Sequence, residues 1–405
     1  MAESYDVVVI GAGAAGLFCA GTAAQRGKRV CVLEHGAAPG RKILISGGGR
    51  CNFTNLDVTA KNFLSANPHF AKSALARFKP ADFIKLVEEY GISYHEKTLG
   101  QLFCDGGSEQ ILRLLLARMT NADLKLSCEI QNISHDGGFV INTSHDVFRA
   151  PRLVIATGGL SIPKLGATGF AYQLAKQFGL GVEPPVPALV PLTFGAADLA
   201  WMSPLAGLSV PTRVSAGKVS FDEGVLFTHR GLSGPAVLQI SSYLTGQNQT
   251  KPQNATQTPE KLWFCVDFCP DVRFSEHLPA LKRARARIGL KSALSAHLPA
   301  RLAAHFAGPD ERNLADIPDK DLTALGGRLN RYGFIATGTE GFAKAEVTGG
   351  GVSTADLASQ DCQARAVPGL YFIGEAVDVT GWLGGYNFHW AWASGQAAGI
   401  SAAQA

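Results

Sequence analysis

Residues 5–35 constrain this chain more than any other stretch. Tyr5-Asp-Val-Val-Val-Ile10 is an apolar run that reads as a buried strand, and Gly11, Gly13 and Gly16 follow directly. Ala14 to Arg26 is alanine-rich and reads as a helix, and a second apolar run, Val30 to Leu33, ends on Glu34. This order suits a dinucleotide-binding fold. Gly11 permits a tight turn, Gly13 lets a pyrophosphate approach the backbone, and Gly16 lets helix and strand pack closely. The amides around Ala14 and Ala15 open the helix and face the phosphate charge. Glu34 is placed to accept hydrogen bonds from ribose hydroxyls, and its carboxylate disfavours a 2′-phosphate. FAD and NAD share this fingerprint, so the rest of the chain must choose between them.

At 405 residues the chain is long enough for two or three domains. Its 46% apolar and 17% charged content excludes a disordered protein. Glu3 and Asp6 stand where a signal peptide would be basic, and no apolar run reaches the roughly 18–20 residues of a membrane span. Eight scattered cysteines without a CxxC pair read as reduced thiols, which points to the cytoplasm. Cys265 and Cys269 are four apart but lack two further ligands, so they read as strand residues and no metal site is expected. Charge is unevenly spread. Lys282, Arg283, Arg285, Arg287, Lys291 and Arg301 fall in the acid-free stretch from His277 to Pro309, which leaves the rest of a +4 chain at net −2.

After Glu34 comes Gly40-Arg-Lys-Ile-Leu-Ile-Ser46-Gly-Gly-Gly-Arg50-Cys-Asn52. Three consecutive glycines cannot sit inside a stable helix or strand. Amides and cations there (Arg41, Lys42, Ser46, Gly48, Gly49, Arg50, Asn52) suit a phosphate or the edge of an isoalloxazine; a surface loop is the plain alternative. Residues 68–95 and 108–121 read as helices, Leu124–Ile130 and Gly138–Thr143 as strands, and Arg152–Ala156 as a buried strand running into Thr157-Gly158-Gly159. Pro184, Pro185, Pro187 and Pro191 mark a boundary, followed by short β-like runs, a polar stretch from Gly246 to Glu260, and a helical region over 276–329. The first texture returns from Val347, with Phe372-Ile-Gly374-Glu375, Asp378, Gly384-Gly385-Tyr386-Asn387 and an Ala/Gly helix over 392–403. A strand ending in Gly-Glu and leading to a glycine-rich helix start suits the ribityl chain and second phosphate of FAD. That return selects FAD as the resident cofactor.

The glycine fingerprint, Ile45-Ser-Gly-Gly-Gly-Arg-Cys-Asn52, Thr228-His-Arg-Gly-Leu-Ser-Gly-Pro235 and Gly374-Glu-Ala-Val-Asp378 with Gly384-Gly-Tyr-Asn387 together resemble one bacterial flavoprotein family. Its members are labelled NAD(P)/FAD-dependent oxidoreductases or aminoacetone-oxidase-like FAD-binding proteins. They include proteins implicated in reducing uridine to dihydrouridine in large-subunit ribosomal RNA and one linked to bile-acid reduction. The resemblance implies an α/β fold: a Rossmann-like FAD-binding domain split by an inserted β-barrel-like domain and a helical subdomain. The expected division is 1–190 and 347–405 for the FAD domain, 191–270 and 330–346 for the β domain, and 271–329 for the helices. It adds Ile130 to the residues expected around the cofactor.

No second Gly-x-Gly-x-x-Gly follows a strand, so NAD(P)H is expected as a transient reductant at the flavin. The leading expectation is reduction of a C=C bond, uridine in ribosomal RNA. If helical, Arg283, Arg287 and Lys291 recur at i, i+4 and i+8, a stripe that with Lys282 and Arg285 suits phosphate neutralisation; a solvated helix face is the plain alternative. Cys51, beside the triple glycine and Arg50, is the first candidate proton donor and His389 the second, although a packed core residue is the commoner setting for each. A small-molecule amine oxidase or enone reductase, and a non-catalytic flavin-bearing RNA-binding or redox-sensing protein, are the rival functions.

Overall fold

The computed structural model describes residues 3–245, 262–284, 287–309 and 312–404. The chain divides into two compact units, one built from everything up to Val186 and from Val347 onward, the other from Pro187–Glu346.

In the first unit the apolar runs become a five-stranded sheet. Its order is Leu370–Phe372, Arg152–Ile155, Val7–Ile10, Val30–Leu33, Ala122–Lys125. Every neighbouring pair is parallel. Strands covered on both faces read as continuous apolar runs, and Val7–Ile10 and Val30–Leu33 are buried throughout. The helix Ala14–Ala24 packs along the C-terminal helix Tyr386–Gln404, and glycines set the spacing. A Cβ at Gly395 falls 2.8 Å from the Ala15 carbonyl oxygen, and one at Gly399 falls 2.7 Å from that of Cys19. Beneath this seam Trp392 stacks on Phe83 at 4.5 Å and donates its indole N–H to Phe53 O at 2.8 Å.

Two expected elements break, each for a local reason. The helix expected over 68–95 is instead Lys72–Arg77 and Pro80–Glu89, because Lys79 before Pro80 is extended and the proline opens a new helix. The strand expected over 124–130 splits at Ser127, whose φ is +53°. Its first half stays in the parallel sheet, the amides of Ser127 and Cys128 bond the carbonyls of Gly36 and Glu34, and Ile130–His135 joins a second sheet.

The second unit carries an antiparallel sheet of seven strands, ordered Tyr332–Ala336, Leu262–Asp267, Ser209–Ala216, Val219–Thr228, Gly231–Ser233, Leu192–Thr193, Gly338–Thr339. Its two end strands are consecutive in sequence, with Thr337 alone between them. A sheet whose first and last strands are joined by one residue must curl back on itself, which gives it a barrel-like form. Helices Phe274–Ala284, Leu290–Ser295, Ala300–Ala307 and Asp319–Asn330 belong to the same unit. The polar stretch 246–260 lies outside the described residues. All eight cysteines are free, Cys265 buried and Cys269 half-buried. No helix among the described residues is long and apolar enough to cross a membrane.

Candidate functional site

Gly11 and Gly16 make the tight turn and the close packing that their spacing implies. Gly11 has φ +105°, and a Cβ there would meet Ala156 O at 2.5 Å. A Cβ at Gly16 would run into the carbonyl oxygen of Gly11. Gly13 differs: it caps the helix without a side-chain bond, and a Cβ there meets nothing within 4 Å. The open side of that turn is lined by the amides of Ala14 and Ala15 at a helix N-terminus, a setting for anionic phosphate. Glu34 is buried and accepts hydrogen bonds from Ala12 N and Gly36 N, both at 2.8 Å. The carboxylate therefore fixes the turn and keeps lone pairs for hydroxyl donors. Ile130 is half-buried at the start of its strand, two residues past the Cys128 amide that bonds Glu34 O at 2.9 Å.

Lys42, expected as a cofactor cation, lies in a polar network. Its Nζ donates to Glu375 Oε2 and Ser161 Oγ, both at 2.6 Å. Glu375 Oε1 accepts from Ser161 Oγ at 2.7 Å and Thr348 N at 2.9 Å, while Thr348 Oγ1 accepts from Leu160 N and Ser161 N. Burial pushes the Glu375 carboxyl up, but the Lys42 charge and these hydrogen bonds outweigh it and hold it below the usual carboxylate range. Gly158 and Gly159 lie against this network, a Cβ at Gly158 being 3.9 Å from Glu375 Oε2. The buried Thr157 Oγ1 has no hydrogen-bond partner. Arg41 is half-buried beside Gly36 and Gly166, and among the described residues no carboxylate pairs with it.

The triple glycine forms a left-handed turn, Gly47 at φ +58°, Gly48 at +67° and Gly49 at +86°. Ser46 Oγ donates to Ile43 O at 2.7 Å, Arg50 is exposed, and Asn52 meets the Gln101 amide at 3.0 Å. At the C-terminal side Gly374 has φ +63° with Ala15 Cβ 2.8 Å from its missing Cβ, and Trp390 donates to its carbonyl at 3.0 Å. Asp378 is buried, accepts from Ala66 N at 2.8 Å, and burial raises its carboxyl. Asn387 clamps the Gly381–Trp382 backbone through its amide, while Gly385 abuts Thr54 O and Gly384 abuts Gln101. Tyr386 is buried edge-on to Phe63. Asp378 and Asn387 thus shape loops rather than reach outward.

Both candidate proton donors are sealed. Cys51 is fully buried with φ +50°, and desolvation pushes its thiol well up, so a thiolate left after donation is disfavoured. His389 is also fully buried, with Nδ1 2.9 Å from Thr54 Oγ1 and Nε2 3.0 Å from Phe78 O. Both ring nitrogens are used, and His389 is a core bridge. A packed core histidine, the alternative to a proton donor, is what the geometry gives.

The basic stripe does not form on one helix. The helix Phe274–Ala284 ends before Arg287; Gly289 is extended and bridges Asn313, with Leu290 N bonded to Arg312 O and Leu314 N to Ile288 O, and the next helix opens at Leu290. Arg283, Arg287 and Lys291 are exposed but not at i, i+4 and i+8 of a continuous helix. Lys282 Nζ donates to Ile317 O at 2.7 Å and Asp319 Oδ1 at 2.9 Å, and Arg283 lies 3.9 Å from Asp319. Lys282 ties two helices together. Arg285 lies outside the described residues.

With the phosphate turn and its acid in place, the family model for the HI0933-like protein Rossmann domain matches residues 5–401. The chain belongs to that family. It is a FAD-dependent oxidoreductase. The chain is 48% identical to the ribosomal RNA dihydrouridine synthase of Escherichia coli (strain K12), covering 97% of this chain and 96% of the relative. It is 44% identical to the protein of the same name from Haemophilus influenzae, over 99% of each. A more distant relative, 29% identical over 98% of each chain, is the 3-dehydro-bile acid delta(4,6)-reductase of Clostridium scindens. Among solved structures, the 3-ketosteroid-delta4-(5alpha)-dehydrogenase of Rhodococcus jostii RHA1 aligns at a TM-score of 0.51 with 14% identity, covering 99% of this chain and 97% of that one. This last likeness concerns the fold.

The residues present fit FAD: the open Gly13 turn with its helix amides, the Glu34 carboxylate, and the unpartnered Thr157 hydroxyl form a cradle within one unit. Sequence reasoning missed Ser161, Thr348, Thr54 and Gln101. Ser161 sits two residues beyond Gly159 and Thr348 just before a glycine run, but no spacing rule joins them; only the fold does.

Proposed function

We propose that this chain reduces uridine to dihydrouridine in large-subunit ribosomal RNA, with NAD(P)H as the transient reductant. The single observation that carries the reading is 48% identity to the E. coli ribosomal RNA dihydrouridine synthase over nearly the full length of both chains. When bound, FAD supplies hydride chemistry suited to saturating the pyrimidine C=C bond. The chain's residues then have distinct tasks. The amides behind Gly13 and the Glu34 carboxylate hold the adenosine and phosphate end. Lys42, Glu375, Ser161 and Thr348 fix the loop from Thr157 to Ser161 against the return strand, so that end is preorganised. Left-handed Gly48 and Gly49 keep the backbone beside Arg50 free of side chains that would block a planar ring. The cytoplasm, where ribosomes are assembled, is the compartment this reading requires.

The experiment is dihydrouridine quantification by mass spectrometry in ribosomal RNA from strains with and without the gene. Loss of one dihydrouridine in the deletion strain, restored by the wild-type gene, is the expected result. An unchanged level refutes the reading. It then favours a small-molecule enone reductase, for which the 29% identity to a bile-acid reductase is the supporting observation.

A further inference from the structure

In the second unit a stack of rings runs from the core to the surface. Phe334 is 2% exposed, and Trp201 lies over it at 6.1 Å with 24° between the planes. His305 stacks on Trp201, 4.4 Å away and within 12° of parallel, and is exposed. Tyr332, half-buried, sits 5.7 Å from Trp201, and the exposed Arg328 lies 5.7 Å over the Tyr332 ring. Arg301, one turn before His305 on the same helix, donates to the carbonyls of Pro204 and Ala206. Among the described residues neither Arg301 nor Arg328 is ion-paired. Burial and the Arg328 charge hold the His305 imidazole below its ordinary pKa, so its ring is neutral at pH 7.

The stack ends on a flat neutral ring in solvent, held rigid from beneath and flanked by unneutralised guanidinium groups. Proteins hold unpaired nucleotides by that combination, a base on an aromatic face with cations tracking the phosphates. We propose that the Phe334–Trp201–His305 stack is a platform on which an unpaired base of the RNA substrate stacks, with Arg328 and Arg301 meeting its phosphates. The inference rests on the ribosomal RNA reading above and says how that RNA is held. The platform replaces the basic helical stripe, which the fold does not build, as the main contact.

The test is fluorescence anisotropy of a fluorescein-labelled oligouridylate against the FAD-loaded full chain. His305→Ala is expected to weaken binding roughly 5- to 160-fold, the range found when one stacking ring is removed. His305→Phe, which keeps a flat ring, restores it. Arg328→Ala weakens binding and lowers the slope of log affinity against log salt by about one. All three are surface changes, and unchanged circular dichroism and flavin content verify folding. Wild-type affinity in His305→Ala, or failure of His305→Phe to restore it, overturns the platform, as does a wild-type chain that does not bind the oligouridylate. The cellular dihydrouridine measurement judges the underlying reading separately: product that depends on the gene alongside unaltered binding by His305→Ala sinks the platform alone.

Discussion

The buried imidazole of His389 makes a quantitative prediction about acid stability. Phe78 O can only accept, so Nε2 at 3.0 Å must carry the hydrogen, and Nδ1 then accepts from the Thr54 hydroxyl at 2.9 Å. That is the neutral ring, and burial lowers its pKa to about 4. An unfolded histidine titrates near 6.5, so below that pH the unfolded chain binds a proton that the folded chain refuses. The contribution is present above about pH 6.5 and is lost as pH falls toward about 4. Between about pH 7 and about pH 5 the two values give a loss of about 2 kcal/mol. His389→Gln removes the titration, while its amide can still donate to Phe78 O and accept from Thr54. At neutral pH it is expected to be less stable than wild type by about 1–3 kcal/mol. Urea unfolding of the flavin-loaded protein, followed by near-ultraviolet circular dichroism, should show that gap narrowing by about 2 kcal/mol at about pH 5. Parallel pH dependences for the two proteins would refute the assignment of a neutral, doubly bonded imidazole.

Three further outcomes test the site. Gly13→Ala should fold normally yet lose flavin affinity, since its Cβ meets nothing in the protein, whereas Gly16→Ala should lose stability because its Cβ strikes Gly11 O; flavin absorbance and melting temperature separate the two. Lys42→Met leaves the Glu375 carboxylate without its cation; with the two side chains 34% and 19% exposed the cost is discounted to about 1–2 kcal/mol, read by urea unfolding. Because Lys42 holds the Glu375 carboxyl below its ordinary range, that stabilisation is present above about pH 4.3 and lost on further acidification, and a wild-type stability unaffected by the substitution at neutral pH would contradict the pairing. Cys51→Ala should restore dihydrouridine to the deletion strain, since the thiol is sealed and pushed up by burial; failure to restore it, with flavin bound, would return Cys51 to the reaction.

How much was legible in the sequence depends on how local the cause was. Val7–Ile10, Gly11, Gly13 and Gly16 act on neighbours within one turn, so their spacing alone gave strand, turn and helix. Ser46–Asn52 was readable as an irregular glycine loop for the same reason. The basic stripe failed because its periodicity assumed a continuous helix. What breaks it is the pairing of Ile288 and Leu290 with residues 312–314, over twenty residues away in sequence. His389 was ambiguous because a histidine between Phe388 and Trp390 looks alike whether it faces a ligand or a core. Its partners, Thr54 and Phe78, are more than 300 residues distant.

The same distinction explains why the cofactor cradle needs the whole first unit. Lys42 comes from the segment after the fingerprint, Ser161 from the loop after Arg152–Ile155, and Thr348 and Glu375 from the returning C-terminal part. A lysine and a glutamate taken out of water separately would each be costly. Joined with the Ser161 hydroxyl and the Thr348 amide, they satisfy one another only when the returning segment is docked. The insertion of Pro187–Glu346 separates these groups in sequence without separating them in the first unit. A fragment ending before Val347 would therefore leave Lys42 and Ser161 facing no carboxylate, and the loop bearing Thr157 would lose its anchor. The C-terminal return is thus part of what fixes the loop bearing Thr157 beside the turn that fits FAD.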